Sequence, residues 1–252
     1  MYKRQASEAF GLNDRGIIAP GKKADIVILE NLEECKAKSV ICGGKVVDEK
    51  LFSTVKRIDP IGLNSVKCKT LKKSDFISKD KTKKTSIIGI IEGKIITEHL
   101  HDEIPIVNGD KSPDTVKDLV RVSVIERHGK NNNIANGFVR GFGLKKGAVA
   151  STVAHDHHNI VSIGIDYEDM AIACNRLKEI KGGFVIASQG KITAELSLPI
   201  AGLMSLESFE IVRDKLKEFA SREPRIKLHL RKINGHISAA SNTAIDLSLI
   251  HI

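Results

Sequence analysis

Between residues 86 and 198 the apolar residues come in short runs broken by glycine and polar turn residues. SIIGIIEGKIITEHL (86–100) reads as a hairpin turning at Glu92-Gly93-Lys94, and FVIASQGKITAELSL (184–198) as another turning at Gln189-Gly190. DLVRVSVIERH (118–128) alternates at Val120, Val122 and Val124, the period of a strand. NGFVRGFGLKKGAVASTVAHDHHNIVSIGI (136–165) reads as a glycine-bearing loop or short helix, then two strands flanking the polar turn AHDHHN. Two stretches carry helical spacing instead. Met170, Ala173, Cys174, Leu177 and Ile180 form one stripe. Asp166 stands ahead of it as an N-cap, Glu168 and Asp169 sit where the helix dipole favours anions, and Gly182-Gly183 ends it. Phe209, Val212, Leu216 and Phe219 form the second stripe. The expectation for 86–222 is an α+β domain of antiparallel hairpins with covering helices. With 41% apolar residues, no Trp and two Tyr, its core must be aliphatic.

The N-terminal residues read differently. SEAFGL closes a helix at Gly11, Pro20-Gly21 makes a turn, Ala24 to Leu29 is a short strand, and SVICGGKVV is a strand pair about Gly43-Gly44. These few small strands make a marginal sheet by themselves. A helix ending so close to Met1 suggests that its first turns are missing. The expected divisions are therefore 1–52, 53–85, 86–222 and an aperiodic 223–252.

The net charge of +9 raises nucleic acid as a partner, but its placement argues otherwise. Ten Lys/Arg against three Asp/Glu fall in 56–84, and five against two in 222–252, so the remainder is close to neutral. Basicity confined to a connection and a tail, without aromatic platforms, reads as solvated charge rather than a binding face. Cys35, Cys42, Cys68 and Cys174 are scattered, with no C-x-x-C, which excludes a zinc ribbon or a disulfide framework and fits a reduced cytoplasm. No apolar run reaches membrane-spanning length, so no membrane partner is expected.

The chemistry-bearing residues cluster in two places. His155-Asp156-His157-His158-Asn159 crowds three of nine histidines into one turn. On a strand His155 and His157 would share a face and could meet one ion, with Glu126 or His128 as further ligands. The competing reading is a polar turn that satisfies backbone groups. Glu126-Arg127-His128, at a strand end, could be an acid/base pair with an anion-binding arginine, or a terminus with solvated charges. His101-Asp102-Glu103 has the H-x-E of zinc nucleobase deaminases but lacks the later P-C-x-x-C, and is rejected as that motif. Gly137, Gly141, Gly143 and Gly147 begin a G-x-G without completing a nucleotide loop, because position 146 is Lys, so they read as structural.

Longer stretches carry a resemblance. GIIAPGKKADIVIL followed by VICGGKVV resembles the closing strands of the small β-domain of amidohydrolase-superfamily enzymes. VIERHGKNNNIANGFVRGFGLKKGAVASTVAHDHHNIVSIG, then NRLKEIKGGFVIASQGKITAELSLPIAGLMS, resembles the C-terminal domain of bacterial and archaeal adenine deaminases, and the whole likeness covers roughly 6–222. The family's pattern at the histidine turn is AHD-Ser-HN. Position 157 is His where the pattern has Ser, which weighs against a metal at His155/His157. His155, Asp156, His158 and Asn159 match the pattern, and with Glu126, Arg127 and His128 are the candidate site-bordering residues.

The resemblance implies hydrolytic deamination of adenine to hypoxanthine with release of ammonia. Its cofactor would be a divalent metal (Mn, Fe or Zn) whose hydroxide attacks the purine C6. The family's metal ligands lie on barrel strands that match nothing here. The expectation is thus a C-terminal part of an amidohydrolase, catalytically inactive alone and binding no metal by itself. Its partners would be adenine in the whole enzyme, a missing N-terminal barrel and further copies in a homo-oligomer, in the cytoplasm. Residues 1–5 and the 223–252 tail match no family segment and read as artefactual. Two alternatives stand beside this: part of another amidohydrolase, and a free-standing interaction, oligomerisation or nucleic-acid-binding module.

Overall fold

The structure, a computed structural model, describes residues 3–53, 59–78, 82, 84–91, 94, 96–154 and 157–222. Contacts divide the chain into a unit ending at Asp59 and a second beginning at Pro60.

The first unit holds helix α1 (Lys3–Ala9), strands β1 (Ile26–Leu29), β2 (Ala37–Cys42) and β3 (Lys45–Val46), and helix α2 (Glu49–Ser53). The Gly11 amide bonds the Glu8 carbonyl as α1 ends, and Gly11 takes the left-handed conformation expected of a helix stop. The strands form one antiparallel sheet in the order β1-β2-β3. Gly43 and Gly44, both at positive φ, make the tight turn between β2 and β3. None of residues 3–51 is buried, and Phe10, Ile18 and Leu32 are each more than 80% exposed.

The second unit is built on an eight-stranded sheet. Its strands are β4 (Lys84–Ile90), β5 (Thr97–Glu103), β8 (Leu119–Ile125), β9 (Ile134–Arg140), β10 (Ala148–Ser151), β11 (Ile160–Gly164), β12 (Gly183–Ser188) and β13 (Lys191–Ser197). Between β5 and β8, β6 (Ile106–Val107) and β7 (Asp110–Lys111) make a separate small hairpin. The sheet order is β13-β12-β10-β11-β8-β9-β4-β5, antiparallel throughout except for the parallel pair β4–β9. Every residue of β8 is buried, because it is central and covered on both faces. On one face Val120, Val122, Val139, Val161 and Ile163 join one aliphatic cluster. On the other, Ala148, Ala150, Ile160 and Val185 pack under helix α3 (Tyr167–Glu179) through Met170, Ala173, Cys174 and Leu177. Asp166 caps α3, accepting the amides of Glu168 and Asp169, as expected. The hairpin of β12 and β13 turns at Gln189-Gly190, both at positive φ. These observations establish the α+β class expected from the sequence.

Three local expectations differ from the structure. Ile134–Arg140 is a strand, not a loop or short helix. Asn136 and Gly137 disfavour a strand locally. Pairing to β8, with the Ser123 hydroxyl donating to Asn136 Oδ1 at 2.6 Å, overrides them. The 53–85 connection is not poorly packed along its whole length. Val66, Cys68, Leu71 and Phe76 are buried between exposed lysines, and the Asn175 side chain bonds both the amide and the carbonyl of Leu71 at 2.9 Å. In helix α4 (Phe209–Arg222) Val212, Leu216 and Phe219 pack on the sheet, but Phe209 in the first turn is 73% exposed. The turn residues Glu92 and Gly93 and the 223–252 tail lie outside the described residues.

Candidate functional site

Strands β8 and β11 pair antiparallel with Ile125 opposite Ile160. That register places the residues just after β8 beside those just before β11. Glu126-Arg127-His128 therefore meets His157-His158-Asn159 at one end of the sheet. The Arg127 amide donates to Asn159 Oδ1 at 3.4 Å, and His128 Nε2 lies 3.3 Å from the His157 carbonyl. Of the seven candidates, His155 and Asp156 lie outside the described residues, and the other five converge here.

Arg127 is the centre of this site. Its side chain is buried at 2% exposure. The guanidinium donates to the His158 carbonyl, to the Ser65 hydroxyl at 2.7 Å and to the Ala201 carbonyl at 2.9 Å. Among the described residues every partner is neutral. Burial lowers the Arg127 pKa from its ordinary value, but a guanidinium remains charged. His158 and Ala201 both sit at positive φ, a conformation that costs a side-chain-bearing residue free energy, and both offer their carbonyls to the same cation. Arg127 thus ties three segments, near 65, 158 and 201, into one body.

A second layer supports the first. Thr152 Oγ1 donates to the Gly202 carbonyl at 2.6 Å and accepts the Gly183 amide at 2.7 Å. Gly202 lies at φ +72°, and a Cβ there would stand 2.9 Å from Arg127 Nη1. Only a glycine lets the guanidinium lie against that backbone. Thr152, Gly202, Ala201 and Ser65 were not singled out in the sequence. The signal for the glycines was present, but Gly182-Gly183 suggested only a helix stop and PIAGLMS only a tight connection.

Glu126 is committed elsewhere. One carboxylate oxygen accepts the His128 amide at 2.6 Å, and the other accepts the amides of Lys130, Asn131 and Asn132 at 3.0 to 3.3 Å. Partial burial by itself would raise its pKa, but these amides outweigh it and hold the carboxyl below its ordinary range. Glu126 therefore organises the 128–132 loop as an anion and is poorly suited to proton transfer near neutral pH. His157 Nδ1 accepts the Asn159 amide at 3.0 Å, so that nitrogen carries no proton. Among the described residues no group of three or more His, Cys, Asp or Glu side chains is placed to hold a metal ion.

Comparison with known proteins decides the family. The profile of the adenine deaminase C-terminal domain matches residues 94–246. The chain belongs to the adenine deaminase C-terminal domain family. Among curated relatives, an adenine deaminase of Sinorhizobium fredii is 55% identical over 84% of this chain, and one of Cereibacter sphaeroides is equally so. Adenine deaminase 1 of Agrobacterium fabrum is 52% identical over the same share. The chain spans 37% of the length of each of these relatives. The domain match includes 223–246, most of the stretch that composition set apart as a tail. No helix among the described residues is long and apolar enough to cross a membrane.

Proposed function

We propose that this chain acts as the C-terminal domain of an enzyme that hydrolyses adenine to hypoxanthine and ammonia. The support is the 55% identity to adenine deaminases across 84% of the chain. The Arg127 site serves in that enzyme as a positioning element. It holds the 157–159 loop and the 200–204 turn in one fixed arrangement at the border of the reaction site.

The residues gathered at the Arg127 site do not fit the divalent metal (Mn, Fe or Zn) that such chemistry would use. Glu126 spends both oxygens on backbone amides, His157 spends Nδ1 on Asn159, and no three-ligand group forms among the described residues. The metal ligands and the nucleophile belong to other residues of the whole enzyme, and no catalytic step is derived from these. The chain by itself turns over no adenine. Its partners are a barrel carrying those ligands and further copies in a cytoplasmic homo-oligomer.

A chimera tests the proposal. The matching 211 residues of the Sinorhizobium fredii relative are replaced by those of this chain. Hypoxanthine and ammonia are then measured against the parent and against the isolated chain. The expected result is parental turnover in the chimera and none in the isolated chain. A folded chimera that is inactive on adenine while the parent is active overturns the proposal.

A further inference from the structure

The H-x-E at His101–Glu103, rejected as a deaminase motif, lies on β5, one of the two edge strands of the eight-stranded sheet. Alternation along a strand puts His99, His101 and Glu103 on one side and Leu100 and Asp102 on the other. Two contacts pin that orientation. Leu100 packs against the cluster of Ile87, Ile104, Leu119 and Phe138. Asp102 is held by Arg140 at 2.6 Å and Lys117 at 3.5 Å. His99 and His101 are therefore forced to the same side, opposite Ile88 and Ser86 of β4. Both are exposed, with ring centroids 4.4 Å apart and planes 45° apart. Neither ring makes a hydrogen bond or ion pair with any described residue.

We propose that His99 and His101 form a two-imidazole site for a divalent transition-metal ion of the Cu²⁺, Ni²⁺, Zn²⁺ class. Two ring nitrogens bound about 2.0–2.1 Å from one ion stand roughly 3 Å apart, which rings at this separation reach by side-chain rotation. Imidazole nitrogens favour these ions over Mn²⁺ and Mg²⁺. Among the described residues no third protein ligand completes the group, and water fills the remaining positions. Glu103, next on the same side, adds negative charge near the cation. The site is distinct from the Arg127 site and does not depend on the proposed deaminase role.

Isothermal titration of the full chain with Ni²⁺ tests it, using wild type, His99→Gln, His101→Gln and His157→Gln. The wild type should bind one ion, and Mn²⁺ more weakly than Ni²⁺. Each of the first two substitutions should weaken binding roughly tenfold or more, because each removes half of the chelate. His157→Gln should leave it unchanged. Circular dichroism melts of the variants check folding, and Cu²⁺ line broadening in a labelled wild-type sample should centre on residues 97–103 and 84–90. Undiminished Ni²⁺ binding in both edge-strand variants, loss only in His157→Gln, or no wild-type binding at millimolar ion each overturns the proposal.

Discussion

Arg121 lies within β8 and Arg127 two residues past its end, and both are buried, yet they are kept in different ways. The Arg121 guanidinium is paired with Asp110 at 3.1 Å, bonds the Tyr167 hydroxyl at 2.6 Å and lies 4.2 Å from the Phe138 ring centroid. Burial pushes the Tyr167 phenol up to about 12, so it stays a neutral donor and acceptor beside the cation. Charge meets charge, and the joined elements are regular: β8, the β6–β7 hairpin and the first turn of α3. Arg127 meets no carboxylate among the described residues. Its partners are carbonyls and one hydroxyl, and the joined elements are loops, two of them strained at His158 and Ala201. Burying a cation costs several kcal/mol, and hydrogen bonds from a charged donor return about 1.5–3 kcal/mol each, so three or four such bonds are enough to keep it. The first arginine fixes the fold. The second fixes the shape of a loop surface and leaves a positive charge beneath it.

The largest effect should come from breaking the compensated pair. Arg121→Met leaves the mostly buried Asp110 carboxylate without its cation and should destabilise the second unit by about 3 kcal/mol. Adding Asp110→Asn should recover much of that loss, since removing both charges is far less costly than removing one. Denaturant titration of both variants checks this. A double variant as unstable as the single one would mean that the ring stacking on Phe138 and Tyr167, and not the ion pair, is what Arg121 supplies.

Arg127→Met should act more locally. It removes a charge with no counter-charge to strand, but leaves the His158 and Ala201 carbonyls short of a donor, a loss of about 1–3 kcal/mol. Hydrogen exchange should quicken at 157–159 and 200–204 while the amides of β8 and β11 remain protected. Uniform loss of protection across the sheet would make Arg127 a fold residue like Arg121 and erase the distinction between them.

The contrast also shows what the sequence could reveal. Helix α3 was legible because its signals are local: the Asp166 cap, the apolar stripe and the glycines that stop it. The hairpin at Gln189-Gly190 was legible for the same reason. Strand β9 was not, because Asn136 and Gly137 disfavour a strand until β8 and β4 flank them. The buried anchors Val66, Cys68, Leu71 and Phe76 were hidden among lysines, and their partners, such as Asn175, lie about a hundred residues away. At the site, the polar residues drew attention by crowding. Their roles did not follow from it. That Glu126 serves a loop, and that Arg127 reaches Ser65 and Ala201, are facts of long-range register that no spacing encodes.

The smallest effect sharpens the comparison from the anionic side. Glu126 stands beside Arg127 in sequence, but its charge is met by four backbone amides instead of the guanidinium. Its folded pKa is held below the ordinary 4.5, so the stability it contributes is present above that value and lost as pH falls through the folded pKa. Amide protection over 128–132 should therefore persist at neutral pH and fade below 4.5. Glu126→Gln replaces one accepting oxygen by a donor that faces other donors, and should cost about 1 kcal/mol. In that variant the loop should exchange quickly at neutral pH, with little further change on acidification. Wild-type protection at neutral pH in Glu126→Gln would show that the turn closes without the anion. Glu126 would then again be available as a proton carrier at the end of β8.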